Sequence, residues 1–68
     1  MSVYKVIEII GTSATSWEDA AASAVAKARE TLRDLRVAEV VKQDVDVTEG
    51  GSLTYRTKLS VSFKYEDS

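Results

Sequence analysis

From Leu53 to Tyr65 the chain alternates without a break. Leu53, Tyr55, Thr57, Leu59, Val61, Phe63 and Tyr65 fall on one side, and Thr54, Arg56, Lys58, Ser60, Ser62 and Lys64 on the other. A side-chain period of two belongs to a β-strand with one covered and one wet face. The preceding Thr48-Glu49-Gly50-Gly51-Ser52 is turn chemistry, and from Val37 to Val47 the period is again two. The second half of the chain therefore reads as one long β-hairpin. Strict alternation in its first arm sets Val37, Glu39, Val41, Gln43, Val45 and Val47 on one side, and Ala38, Val40, Lys42, Asp44 and Asp46 on the other. Counting outward from the turn places Asp44 opposite Arg56, an opposite-charge pair of a kind that contributes about 0.2–1 kcal/mol.

Ahead of the hairpin, Val3 to Ile10 is β-branched and aromatic, and Gly11 is expected to stop it, so it reads as a strand. Apolar residues on both of its faces fit a strand covered from two sides, one by a helix and the other by a second subunit. Thr15-Ser16-Trp17-Glu18 matches a capping box, with Thr15 as N-cap and Glu18 reaching back. Trp17, Ala21, Ala24, Ala28, Leu32 and Leu35 recur at helical spacing and predict an amphipathic helix from about Ser16 to Leu35 or Arg36. Its Ala-rich first half allows a close backbone approach. The order strand, helix, strand, strand makes the first two strands parallel, and a central third strand gives the sheet order 1-3-2. The expected class is α+β: a three-stranded antiparallel sheet partly wrapped around one helix. Glu66-Asp67-Ser68 reads as a free tail.

A chain of 68 residues holds one domain, residues 1–68, and buries only roughly 60% of its unfolded surface. It has no Cys and no His, which excludes disulfides, zinc sites, Ser/His/Asp triads and imidazole acid/base work. No nucleophile and base fall at plausible spacing, so an enzyme is not expected. A small scaffold without disulfide or metal staples is expected to gain its stability from oligomerisation. Nine Lys and Arg against eleven Asp and Glu, with no basic block, argue against nucleic acid. No apolar run approaches the roughly 18 residues that span a bilayer, and the Met1 segment lacks a basic and then apolar leader, so no membrane partner and a cytoplasmic location are expected.

The element order, the opening Val3-Tyr4-Lys5-Val6-Ile7-Glu8-Ile9-Ile10-Gly11-Thr12-Ser13, the Ala-rich helix ending Thr31-Leu32-Arg33-Asp34-Leu35 and the Glu39-Val40 step into the hairpin resemble the dodecin family over essentially the whole chain. That resemblance implies twelve subunits in a hollow cubic shell and non-enzymatic storage of flavins such as FMN or riboflavin. In flavin-binding members a Trp just before the pair ending in Glu39 sandwiches the isoalloxazine ring, and the matching residue here is Val37. A Gln after a Tyr matching Tyr55 recognises the ring edge, and here that position is Arg56. Members lacking the Trp are regarded as binding calcium, and this chain is similar to that branch. Val37 and Arg56 fall on opposite faces under strict alternation. Either a bulge or twist near the start of the second strand brings them together, or two subunits do.

Asp44 and Asp46 lie at i, i+2 on one strand face, with Glu49 in the turn, a small set of the oxygen ligands that calcium prefers. Six to eight oxygens need symmetry copies, carbonyls or waters as well. Pairing of Asp44 with Arg56 is the competing structural role. Glu39, on the apolar side by alternation, needs a partner or is itself a ligand contact. Trp17 and Tyr55 read as core or interface residues rather than a cofactor box. The expected function is ligand storage in a homododecamer, with calcium favoured over flavin and a ligand-free structural oligomer as a third reading. The candidate residues are Val37 and Arg56 for a flavin, and Asp44, Asp46 and Glu39 for a metal.

Overall fold

A computed structural model describes residues 2–66. It contains β1 (Val3–Ser13), α1 (Trp17–Thr31), β2 (Leu35–Val47) and β3 (Leu53–Glu66), in one antiparallel sheet of order β1-β3-β2. The class and strand order expected from the sequence are those observed. The hairpin turn closes through the Thr48 N–H donating to the Ser52 carbonyl (3.1 Å), with Gly50 and Gly51 at φ 91° and 88°. That left-handed backbone is what glycine adopts without penalty.

Four boundaries differ from expectation. First, β1 does not stop at Gly11 but runs to Ser13, with Gly11 paired to Thr57. Gly11 is there for contact: a Cβ on it would lie 2.0 Å from the Ala20 carbonyl oxygen and 2.9 Å from the Ala24 Cβ. Second, the N-cap is Ser16 rather than Thr15. Ser16 Oγ accepts from the Asp19 N–H at 3.0 Å, while Ser13 Oγ donates to Asp19 Oδ2 at 2.7 Å and accepts from the Thr15 N–H. In place of a reciprocal box, Ser13 Oγ at the end of β1 accepts from the Ser16 N–H at 3.4 Å and ties Asp19 to the helix entry.

Third, α1 ends at Thr31. Leu32 is already extended (φ −102°, ψ 137°) and Asp34 is left-handed (φ 49°). Leu32 and Leu35 still pack on the core, but from the connection and from β2, where Leu35 pairs with Phe63. Apolar periodicity ran past the helix because the next elements bury their side chains in the same place. At the far end β3 continues through Glu66, so that residue is not tail. Asp67 and Ser68 lie outside the described residues, as does Met1.

The core is small. Among the described residues Ala20, Ala24, Ala28, Leu59 and Val61 form the buried hydrophobic set, and Thr57 is buried with them, its hydroxyl donating to the Trp17 carbonyl at 2.9 Å. Ile7, Ile9, Ala21 and Val25 close around it. The helix lies over β1 and β3, and leaves an open groove of about 370 Å³ against β2, between Ala21, Val25, Ala38, Val40 and Leu59. A radius of gyration of 14.0 Å exceeds the roughly 11 Å of a compact chain this long. The exposed surface of 4920 Å² likewise exceeds the roughly 4,200 Å² of a compact monomer of this mass.

Candidate functional site

The site face is the side of the sheet turned away from α1. β3 runs down its middle with Thr54, Arg56, Lys58, Ser60 and Ser62. Tyr4, Val6, Glu8, Ile10 and Thr12 flank it from β1, and Val37, Glu39, Lys42, Asp44 and Asp46 from β2. Two register shifts in β2, between Leu35 and Val37 and between Val40 and Lys42, decide this membership. The extra residue at Val41 reverses the alternation. Val37 and Glu39 therefore oppose Ser62 and Ser60, on the same face as Arg56, while Val45 and Val47 face the helix side opposite Tyr55 and Leu53. Of the two explanations for the Val37–Arg56 conflict, the bulge is the one the backbone adopts.

Glu39 must also be reassigned. It lies on the outer face, exposed and opposite Ser60, not among the apolar residues, so no buried charge has to be neutralised.

Asp44 and Arg56 are cross-strand partners, as the count from the turn predicts. Arg56 Nε donates to Asp44 Oδ1 at 2.7 Å and Arg56 Nη2 to Oδ2 at 3.0 Å, a two-point fork. The hydrogen-bonded guanidinium holds the Asp44 carboxyl below its usual range, and the carboxylate in turn raises the Arg56 pKa. Behind the pair, Trp17 Nε1 donates to the Asp44 carbonyl oxygen at 3.0 Å, and the indole meets Tyr55 edge-on with centroids 5.1 Å apart. The first turn of α1 thus fixes the strand position that carries the ion pair. Trp17 and Tyr55 serve packing.

Next along the strands, Lys42 and Lys58 are directly opposed. Lys58 Nζ lies 3.2 Å from Glu8 Oε1. Together with Ile10, Asp44 and Arg56 the two lysines line a cleft of about 110 Å³. Among the described residues no three Asp, Glu, His or Cys side chains converge as a metal site. Asp44 and Asp46 share the face two residues apart, while Glu39 lies beyond the bulge.

Sequence reading missed the Trp17–Asp44 link and the opposed lysines, and it offered a bulge near the start of the strand without placing it at Val41. The doublet Val40-Val41, two apolar neighbours in an alternating strand, is the signal that marks the bulge. The Trp17 link has no local signal, since it joins residues 27 positions apart.

A half-covered sheet with an open, charged face is the frame of a small binding scaffold. The family model described as Dodecin matches residues 3–66, and the chain belongs to the dodecin family, whose members are small ligand-binding proteins. It is 64% identical over 64 residues to Calcium dodecin of Mycobacterium tuberculosis, covering 94% of this chain and 90% of that protein. It is 40% identical over 65 residues to Dodecin of Thermus thermophilus, covering 96% and 94%. The crystal structure of the calcium-chelating antigen calcium dodecin from Mycobacterium tuberculosis, with its calcium-binding site, superposes with a TM-score of 0.91 at 61% identity, over 98% of this chain and 96% of that one.

Proposed function

We propose that the chain assembles into a hollow, dodecin-like homododecamer that stores a small ligand without transforming it, and that the ligand is calcium rather than a flavin. The assembly reading is carried by the open core: among the described residues only Leu59, Val61 and Thr57 are large and fully buried. Val37, Val40, Val47 and Tyr65 stay 51–70% exposed. Covering the apolar part of the roughly 700 Å² in excess of a compact monomer stabilises the assembly by about 25 cal/mol per apolar Å², before the costs of association. Further copies of the same chain, packed along the β2 groove and the unpaired edges of β1 and β2, supply that cover.

The choice of ligand rests on Val37. It stands on the face that carries Arg56, where a flavin-binding member presents an aromatic platform, and an isopropyl group offers no π-face. Identity to a calcium dodecin favours the same reading. In it Asp44, Asp46 and Glu39 are the proposed metal ligands, with other subunits, carbonyls and waters filling a shell of six to eight oxygens. Flavin storage is the second reading, favoured by the bulge that sets Val37 and Arg56 on one face of the sheet, because a guanidinium also stacks on planar rings. Neither reading calls for nucleic acid or membrane. Among the described residues no helix is long and apolar enough to cross a bilayer, and we place the store in the cytoplasm.

Native mass spectrometry after incubation with FMN and calcium tests both parts. A twelve-subunit species with calcium adducts that survive competition supports the proposal. Bound flavin transfers it to the second reading, an empty shell leaves a structural oligomer, and a monomer or dimer refutes assembly.

A further inference from the structure

We propose that Lys42 and Lys58 form a binding site for a small oxyanion of the phosphate class. The inference goes beyond the storage reading and stands on the sheet face of one subunit. Like charges directly opposed on neighbouring strands are destabilising, yet β2 and β3 place these two lysines in register on the same face. The neighbouring anions compensate them only in part: Asp44 lies within the field of Lys42 but makes no ion pair with it. Asp44 gives both oxygens to Arg56, and Glu8 lies beside Lys58 alone. Among the described residues no carboxylate comes within 4 Å of the Lys42 ammonium.

The cleft that the lysines share with Arg56, Asp44 and Ile10 is about 110 Å³, room for one small oxyanion and not for a ring system. Three cations and one carboxylate line it. Ile10 on the β1 side displaces water and strengthens the local field. Each ammonium has three donors, so Lys58 keeps Glu8 and still serves an anion, while Lys42 has its donors unclaimed by any carboxylate. One bridging oxyanion converts the repulsive pair into two charge-assisted contacts.

The test is calorimetric titration of the assembled full-length chain with inorganic phosphate, in calcium-free buffer at fixed ionic strength set by chloride. One saturable site per chain is expected. Lys42→Gln and Lys58→Gln should each weaken it at least tenfold, while Lys27→Gln on the outer helix surface should leave it unchanged. No saturable heat for the parent protein, or equal affinity in all variants, overturns the site. Thermal unfolding gives an independent readout. In phosphate-free buffer Lys42→Gln should be at least as stable as the parent, and phosphate should raise the Tm of the parent but not of the variant. A variant less stable than the parent in phosphate-free buffer overturns the repulsion on which the site rests. FMN binding more tightly than riboflavin assigns the site to a phosphate ester, and equal binding of the two assigns it to free phosphate. Calcium affinity in the same variants reports on the storage reading separately.

Discussion

Replacing Gly11 by Ala is the sharpest test of how helix and sheet are joined. The added Cβ would sit 2.0 Å from the Ala20 carbonyl oxygen, against the roughly 3 Å or more that packed non-bonded atoms keep. The obstacle is backbone, so no rotamer relieves it, and α1 must withdraw by about 1 Å over Leu59 and Val61. Overpacking of this kind costs about 1–3 kcal/mol, and a clash with backbone belongs at the upper end. Alanine recovers about 0.5–1 kcal/mol by restricting the unfolded chain, which leaves a net loss of about 2 kcal/mol. For a domain this small that is a fall in Tm of about 8–16 °C, read by circular dichroism at fixed protein concentration. Two controls separate the cause. Gly50→Asn, at φ 91° in open space, should stay near the parent value, because Asn tolerates left-handed backbone. Adding Ala24→Gly to Gly11→Ala relieves only the 2.9 Å contact and should not restore stability. A Tm for Gly11→Ala within about 3 °C of the parent would refute the close approach of α1 to β1.

Val37→Trp should tighten FMN binding about 2- to 13-fold per stacked face, from about 0.5–1.5 kcal/mol per aromatic contact; flavin fluorescence quenching reads it, and an unchanged Kd dissociates Val37 from any ring site. Asp44→Asn with Asp46→Asn should abolish saturable calcium binding in calorimetry, and undiminished binding removes both residues as ligands. The Asp44 carboxyl is held below its ordinary value by Arg56, so its share of stability is fully present above the unfolded value of about 3.9 and is lost as pH falls through the lower folded value. The Tm gap between the parent and Asp44→Asn should thus be constant from pH 7 to about 5 and shrink below about 4; a gap that persists undiminished to pH 2 contradicts the pairing.

Where one local rule acted alone, the sequence was a sufficient guide. Alternation through β3 and a glycine turn specify the hairpin, its register and the Asp44–Arg56 pair without outside help. The helix end was misjudged because Leu32 and Leu35 satisfy the same burial from a different backbone, so periodicity reports which side is covered rather than which conformation covers it. Gly11 was misread because the absence of a side chain signals both a turn and a close approach, and only the position of Ala20 tells them apart. The faces of β2 were half right. From Lys42 onward alternation from the turn holds, and before Val41 it inverts, which moved Val37 and Glu39 across the sheet and with them half of the candidate site.

The extra residue at Val41 makes β2 two independently phased segments. Side chains on the turn side of it are locked in parity to Arg56 and Lys58, while those from Val37 to Val40 take their facing from the bulge. With that residue removed, Val40 and Lys42 would be direct neighbours opposite Leu59 and Lys58, and both segments would keep their present faces. Substitutions that alter what Val37 meets are thereby insulated from the Asp44–Arg56 register. A lineage built on this strand can revise one end of its ligand surface while the other keeps its alignment.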